Sequence, residues 1–192
     1  MSHFFAYLSK MKFIRRWGLM RNTWHENLQE HSLQVAMVAH ALAVIRNRFF
    51  GGGLQPAQVA LLALYHDAGE VFVGDLPTPI KHHNPEILRA YAGLEEDARG
   101  RLLAMLPADL QPDYGRLFQR RAEDAESWAL ISAADKICAY IKCLEERRAG
   151  NQEFAEAEKS LQAAIQRFAR PEVTYFMEHF GASFRLTLDE LN

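Results

Sequence analysis

The apolar run Val59-Ala-Leu-Leu-Ala-Leu-Tyr65 stops directly against His66-Asp67, and this junction limits the possible folds more than any other stretch of the chain. Its mixture of Ala and Leu suits a buried helix better than a strand. A buried helix that ends in charge must do so for a reason. At about 100° per residue, His66 and Glu70 share one helix face with Asp67 beside Glu70, so three ionisable groups converge at one helix end. An adjacent His-Asp pair is expensive to desolvate unless its members are paired or hold a cation, and imidazole with carboxylate is a common donor set for a divalent transition metal. The pair alone fits either a hydrogen-bonded cap on a core helix or a metal site, and other residues must decide.

The remaining periodicity is helical. Apolar residues at Phe4, Phe5, Leu8, Met11 and Ile14 predict a helix over residues 3 to 14, followed by a polar, turn-like segment through Asn22, Thr23, His25, Glu26 and Asn27. A core helix is expected from near Glu30, with Leu33, Val35, Ala36, Val38, Ala39, Leu42 and Ile45 around much of its circumference. His31 opens that helix, whereas His40 falls on the opposite face and reads as a packed or surface residue. Gly51-Gly52-Gly53 lacks the Lys and Ser/Thr of a phosphate-binding loop and reads as a linker. Two prolines in Gly74-Asp-Leu-Pro-Thr-Pro79 predict a stiff, non-helical loop.

Asn84-Pro85 opens a helix that stops at Pro107, and a short helix is expected around Tyr114 to Arg121. Another runs from about Glu126 to Arg148 with Asp135 inside its apolar stretch. Lys136 points about 100° away from Asp135, so this carboxylate is either exposed on a polar face or meets a cation. Phe154, Ala157, Leu161, Ile165 and Phe168 mark a helix over residues 152 to 169, and Pro171 starts a last one that Gly181 ends. With no strand alternation, repeat or domain linker, the reading is an all-α bundle forming one domain over residues 1–192.

Charge excludes several partners. The formal net charge is -2 with a pI near 6.4, so no global basic field draws a nucleic acid polymer or an anionic membrane. No apolar run reaches the roughly 18 to 20 residues that span a bilayer, and no signal-peptide apolar region is evident at the N-terminus. Residues 1 to 25 hold Lys10, Lys12, Arg15, Arg16 and Arg21 without any Asp or Glu, in a segment whose aromatic content reads as a docked helix. Cys138 and Cys143 are poorly placed to bond to one another, which fits a reduced, cytoplasmic protein.

His31, the adjacent His66-Asp67 and the distant Asp135 follow a pattern that resembles the HD superfamily of metal-dependent phosphohydrolases. Glu30-His31-Ser32, Tyr65-His-Asp-Ala-Gly-Glu70, Gly74-Asp-Leu-Pro-Thr-Pro79, Ala134-Asp135, Lys142-Cys-Leu-Glu-Glu146 and Arg16-Trp17 sharpen the likeness to the bacterial HD-domain 5'-deoxynucleotidases. It extends from His3-Phe4-Phe5 to Leu188-Asp189-Glu190. The resemblance implies an all-helical fold, commonly a homodimer, and one divalent ion held by His31, His66, Asp67 and Asp135. It also implies Glu70 as a catalytic carboxylate and deoxyribonucleoside 5'-monophosphates as substrates. Substrate contacts would come from Arg16, Trp17 and the loop residues Asp75, Leu76, Pro77 and Thr78, beside His31, Asp67 and Asp135.

The chemistry agrees with that expectation. Two His and two Asp suit Mn, Co, Fe or Zn, whereas a Mg site more usually uses carboxylate and water. Such an ion lowers the pKa of water toward roughly 7 to 9 and polarises a phosphoryl group. Glu70 is the candidate to orient and deprotonate the water and Asp75 to contact the sugar or assist the leaving oxygen, roles that could be exchanged. Arg16 offers a planar fork to the phosphate, and Trp17 a rigid wall that would crowd a 2'-hydroxyl. Without the resemblance, Arg16 reads rather as a cap on the first helix and Trp17 as a core residue. His82-His83 read as surface residues beside a mononuclear site. A triphosphate, cyclic-nucleotide or alarmone hydrolase and a catalytically idle nucleotide-binding module are the rival readings.

Overall fold

The computed structural model describes residues 1–81 and 83–191, with the backbone alone at Thr78. Ten α-helices carry these residues, joined by turns and short 3-10 segments, and the one β feature among them is an isolated bridge between Arg15 and Asn27. In chain order the helices are α1 (Phe4–Leu8), α2 (Leu28–Phe49), α3 (Pro56–Leu64), α4 (Glu70–Val73), α5 (Thr78–Lys81), α6 (Pro85–Ala104), α7 (Gln111–Phe118), α8 (Ala125–Arg148), α9 (Ala155–Arg167) and α10 (Pro171–Phe180). Helices α2 and α8 form the centre, with α3 and α10 against α2, and α9 against α8.

One apolar cluster joins these elements. Val35, Ala39 and Leu42 of α2 meet Val59 and Leu62 of α3, Leu102 of α6, Ile131, Ile137 and Ile141 of α8, and Val173 and Phe176 of α10. Both central helices are apolar around much of their circumference because neighbours cover them on several sides.

Several boundaries depart from the sequence expectation. Helix α2 begins at Leu28, ahead of Glu30, because Asn27 caps it: its side chain accepts from the backbone N–H groups of Gln29 and Glu30, and Glu30 reaches back to the Asn27 N–H. The first predicted helix changes to a 3-10 segment at Ser9–Phe13, which buries Phe4 and Met11 and leaves Phe5 exposed. Pro79 lies inside the single turn α5, at its second position, where a missing N–H costs no helical bond.

The most consequential departure is at residues 65–69. Helix α3 ends at Leu64, so His66, Asp67 and Glu70 do not share the end of one continuous helix. The chain continues through tight turns in which the Ala68 N–H donates to Tyr65 O, the Glu70 N–H to Asp67 O and the Val71 N–H to Ala68 O. Such bonds set about three residues per turn, so Asp67 and Glu70 eclipse. Gly69 permits the close approach of this turn to α6, since a Cβ there would sit 3.2 Å from Glu95 O.

Candidate active site

Four elements deliver the candidate residues. The strand-like pairing of residues 14–16 with 26–28 carries Arg16, α2 carries His31, the turn after α3 carries His66 and Asp67, and α8 carries Asp135. The Arg16 N–H donates to Glu26 O and the Leu28 N–H to Ile14 O, which closes the reversal over residues 17–25. Trp17 at its start has φ +59°, a left-handed conformation rare for a bulky residue.

That reversal is fixed from α8. Glu146, 1% exposed, accepts from the Thr23 N–H at 2.9 Å, Thr23 Oγ1 at 2.8 Å, the Trp24 N–H at 3.2 Å and Asn151 Nδ2 at 2.8 Å. Lys142 Nζ, equally buried, also donates to Glu146 and to Trp24 O. These bonds hold the Glu146 carboxyl down at about 2 against the opposing effect of burial.

His31 is fully buried, with Nε2 3.0 Å from Asp135 Oδ1 and 4.0 Å from Asp67 Oδ2. His66 Nδ1 lies 2.7 Å from Ala63 O, and since a carbonyl only accepts, Nδ1 carries the proton. A neutral His66 ring therefore presents a lone pair at Nε2, which is buried without a hydrogen-bond partner among the described residues and lies 3.0 Å from Asp67 Oδ2. Two electron-rich atoms at that separation repel unless a cation or a proton lies between them. Donor atoms of His31, His66 and Asp67 all fall within 4.8 Å of one another, a group able to hold a metal ion, and the imidazole–carboxylate donor set fits a divalent one.

Asp135, expected as a fourth ligand, lies outside that group of donor atoms and adjoins it on the His31 side. Lys136 Nζ also reaches its Oδ2 at 3.0 Å, because a flexible four-carbon stem returns the ammonium to the neighbouring residue; the side chain thus escapes the 100° separation that the sequence implied. Burial opposes ionisation of Asp135, but the His31 bond and the Lys136 charge outweigh it and hold this carboxyl well below the usual range. Where a proton on His66 faces Asp67, it holds that carboxyl low, at about 2, against burial, in the place that a cation would take beside the neutral ring.

Arg16 stands over the cluster, 12% exposed, with Nη1 3.7 Å from Asp67 and 4.0 Å from Asp75, and Nη2 4.0 Å from Asp135. Burial disfavours its charge, yet the surrounding carboxylates of Asp135, Asp67, Glu26 and Asp75 raise its pKa. Glu70 is in the opposite position. Burial first, then Asp67 and Asp75, push its carboxyl up to about 10, and Oε2 is buried without a hydrogen-bond partner among the described residues. Asp75 is also raised, by burial and Asp67, with Arg16 and the Trp17 backbone opposing.

The loop after α4 turns at Gly74, whose φ of +75° favours glycine, and Tyr91 of α6 donates to Gly74 O at 2.7 Å. Asp75, Leu76 and Pro77 are half-buried there. The side chain of Thr78 lies outside the described residues, as does all of His82, while His83 and His40 are exposed.

Glu26 escaped the sequence reading. It is 8% exposed, and its Oε2 accepts from Arg16 Nε and Trp17 Nε1, both at 3.1 Å, while Oε1 faces His31 Nδ1 at 3.7 Å. Against burial, these partners lower its pKa. One signal pointed to it: Glu26 is the first acidic residue after an N-terminal stretch holding five Lys and Arg.

The fold has solved structural counterparts. An HD-domain phosphohydrolase from Listeria innocua matches 95% of this chain and 88% of its own, with a TM-score of 0.83 at 23% identity. A cyanophage S-2L HD phosphohydrolase, solved bound to dA and one catalytic Zn2+ ion, matches 95% of this chain and 96% of its own at a TM-score of 0.68 and 21% identity. The fold is therefore that of an HD-domain phosphohydrolase. In sequence, the chain is 52% identical to a 5'-deoxynucleotidase of Vibrio parahaemolyticus and 53% identical to one of Vibrio cholerae, in each case over all of this chain and 98% of the relative. Residues 3–184 match the family described as 5'-deoxynucleotidase YfbR-like, and the chain belongs to that family. No helix among the described residues is long and apolar enough to cross a membrane.

Proposed function

We propose that this protein is a divalent-metal-dependent 5'-deoxynucleotidase, hydrolysing deoxyribonucleoside 5'-monophosphates to deoxynucleoside and phosphate by attack of an activated water. The observation that carries the reading is the convergence of His66 Nε2, buried and unpartnered, with Asp67, His31 and Asp135 beneath the Arg16 guanidinium. Full-length identity to named 5'-deoxynucleotidases supports the same reaction.

His31, His66, Asp67 and Asp135 would hold one ion, with Co, Mn, Fe and Zn as the metals their donor set suits. A divalent ion there supplies charge that acidifies water, polarises a phosphoryl oxygen and offsets the carboxylates crowding Glu70. Arg16 grips the phosphate with its paired Nη groups, which its Nε bond to Glu26 leaves directed at the cluster. Glu70, able to ionise where a bound ion would offset Asp67 and Asp75, orients the attacking water and takes its proton. Asp75 contacts the sugar and delivers a proton to the departing 5'-oxygen, within the loop of Leu76, Pro77 and Thr78. Trp17 walls the sugar face and crowds a 2'-hydroxyl.

The test is phosphate release from dAMP and AMP by metal-stripped protein after addition of Mn, Co, Zn or Mg, alongside Glu70→Ala and Asp135→Ala. The expected outcome is metal-dependent release favouring dAMP and lost in both variants. Absence of release with every ion, despite bound metal, would refute it; pyrophosphate release from a triphosphate would favour the sibling hydrolase. Trp17→Ala should erode the preference for dAMP in kcat/KM, and an unchanged ratio would remove Trp17 from specificity.

A further inference from the structure

The carboxylate of Glu26 lies behind the candidate site and touches both of its working halves. Its Oε2 binds Arg16 Nε and Trp17 Nε1, each at 3.1 Å, and its Oε1 faces His31 Nδ1 at 3.7 Å. The backbone repeats the connection, because the Arg16 N–H donates to Glu26 O. Glu26 is 8% exposed, so water does not supply an easy substitute for these partners.

We infer that Glu26 is a positioning residue that fixes the tautomer of His31 and the aim of Arg16 together, coupling ion affinity to the grip on phosphate. This inference rests on the functional reading above. His31 Nε2 faces Asp135 Oδ1 at 3.0 Å and Asp67 Oδ2 at 4.0 Å. For Nε2 to serve as a ligand it must present a lone pair, and a neutral imidazole then carries its proton on Nδ1. Among the described residues no hydrogen-bond partner reaches Nδ1, and the Glu26 carboxylate is the acceptor that faces it. Carboxylates and carbonyls behind ligating histidines fix tautomer and ring orientation in this way. His66 has its own such acceptor in Ala63 O, so Glu26 is the counterpart for His31.

The other carboxylate oxygen orients the fork. With Nε committed to Glu26, Arg16 turns Nη1 toward Asp67 and Asp75 and Nη2 toward Asp135. Trp17 is bound by the same oxygen, despite its left-handed backbone, so one carboxylate holds Arg16 and Trp17 in place relative to His31. Arg16 and Glu26 thus have separable signatures. Loss of Arg16 removes positive charge facing Asp67 and Asp135 and should leave ion affinity unchanged or tighter, whereas loss of the Glu26 charge should weaken both functions.

The experiment compares wild type, Glu26→Gln, Glu26→Ala and Arg16→Ala, with Co2+ affinity measured by calorimetry in the absence of nucleotide and kcat and KM for dAMP measured at saturating Co2+. Glu26→Gln is expected to weaken Co2+ binding about 10- to 100-fold and to raise KM even when the ion is saturating. Arg16→Ala should raise KM without weakening Co2+ binding. In Zn2+-loaded protein the His31 Nδ1 proton should give a downfield NMR signal that Glu26→Gln shifts upfield or loses to exchange. Glu26→Gln protein that melts with the wild type and binds Co2+ within twofold of it would overturn the inference, as would weakened binding with an unchanged KM. Should Glu26→Ala fail to fold, the near-isosteric Gln variant decides alone. Wild-type protein that binds Co2+ but releases no phosphate from dAMP would refute the functional reading while the affinity and NMR comparison still judged the tautomer role of Glu26. Wild-type protein that binds no divalent ion would overturn both.

Discussion

Glu146→Gln should uncouple the Arg16-Trp17 reversal from the bundle, and its effect should depend on pH in a calculable way. The gap between the ordinary carboxyl value of 4.5 and the folded value of about 2 corresponds to about 3 kcal/mol at 1.36 kcal/mol per pKa unit. The folded pKa is the depressed one, so this stabilisation is fully present above pH 4.5 and is lost as pH falls through about 2. At neutral pH the variant loses it and leaves Lys142, 3% exposed, without its carboxylate. Breaking a buried pair costs about 3–5 kcal/mol. Urea unfolding of both proteins between pH 7 and pH 2 is the assay. The stability difference should be about 3 kcal/mol or more at pH 7 and shrink by about that amount by pH 2. A difference independent of pH would refute the argument. Because Thr23 and Trp24 hang from this carboxylate, KM for a deoxynucleotide should rise as well.

Four further outcomes follow from the site and its supports. Ion binding should release a proton from Glu70, whose carboxyl sits at about 10 in the ion-free protein, and calorimetry in buffers of different ionisation enthalpy should count fewer protons released by Glu70→Gln. The folded pKa is the raised one, so the Glu70 contribution is present below pH 4.5 and is lost as pH rises through about 10; ion-free Glu70→Gln should therefore be more stable than wild type at pH 8, by a few kcal/mol at most. Tyr91→Phe removes the 2.7 Å bond to Gly74 O, which should cost about 1 kcal/mol in denaturant unfolding and raise KM more than it lowers kcat. Replacing Cys138 and Cys143 by Ala should leave activity largely intact, since both thiols are buried and burial raises them, Cys143 to about 12; loss of turnover without loss of fold would point to thiol chemistry.

The parts of this molecule that the sequence made legible are those whose cause is local. Pro171 and Gly181 bound α10, and the Asn84-Pro85 cap opens α6, because a cap and a fixed φ act within one turn. His31 and Asp135 come together although 104 positions separate them, a contact that the family resemblance implied and periodicity alone could not supply. Departures arose where geometry is set at a distance or by a flexible side chain. A smooth 100° rotation past Leu64 overlooked the tight turns at 65–69, which pack Gly69 against the α6 backbone, and a fixed direction for Lys136 overlooked the reach of its stem. Glu26 had no periodicity to reveal it, since the reversal that buries it is held by Glu146, more than a hundred residues on.

The same residues explain why so unfavourable a cluster exists in the folded state. Glu26, Asp67, Glu70, Asp75 and Asp135 gather around one guanidinium, and ion pairs with Arg16 or Lys136 answer four of the five. Glu70 has no such partner, and the proton that burial, Asp67 and Asp75 hold on it is the residual cost of assembling like charges. Arg16 cannot take over that task, because Glu26 holds its Nε and its two Nη groups are directed at Asp67, Asp75 and Asp135. A cation between His66 Nε2 and Asp67 Oδ2 would relieve the repulsion at its source and free Glu70 to ionise. The fold thus carries an electrostatic imbalance that a bound ion would correct, and the same correction would let Glu70 accept a proton from water.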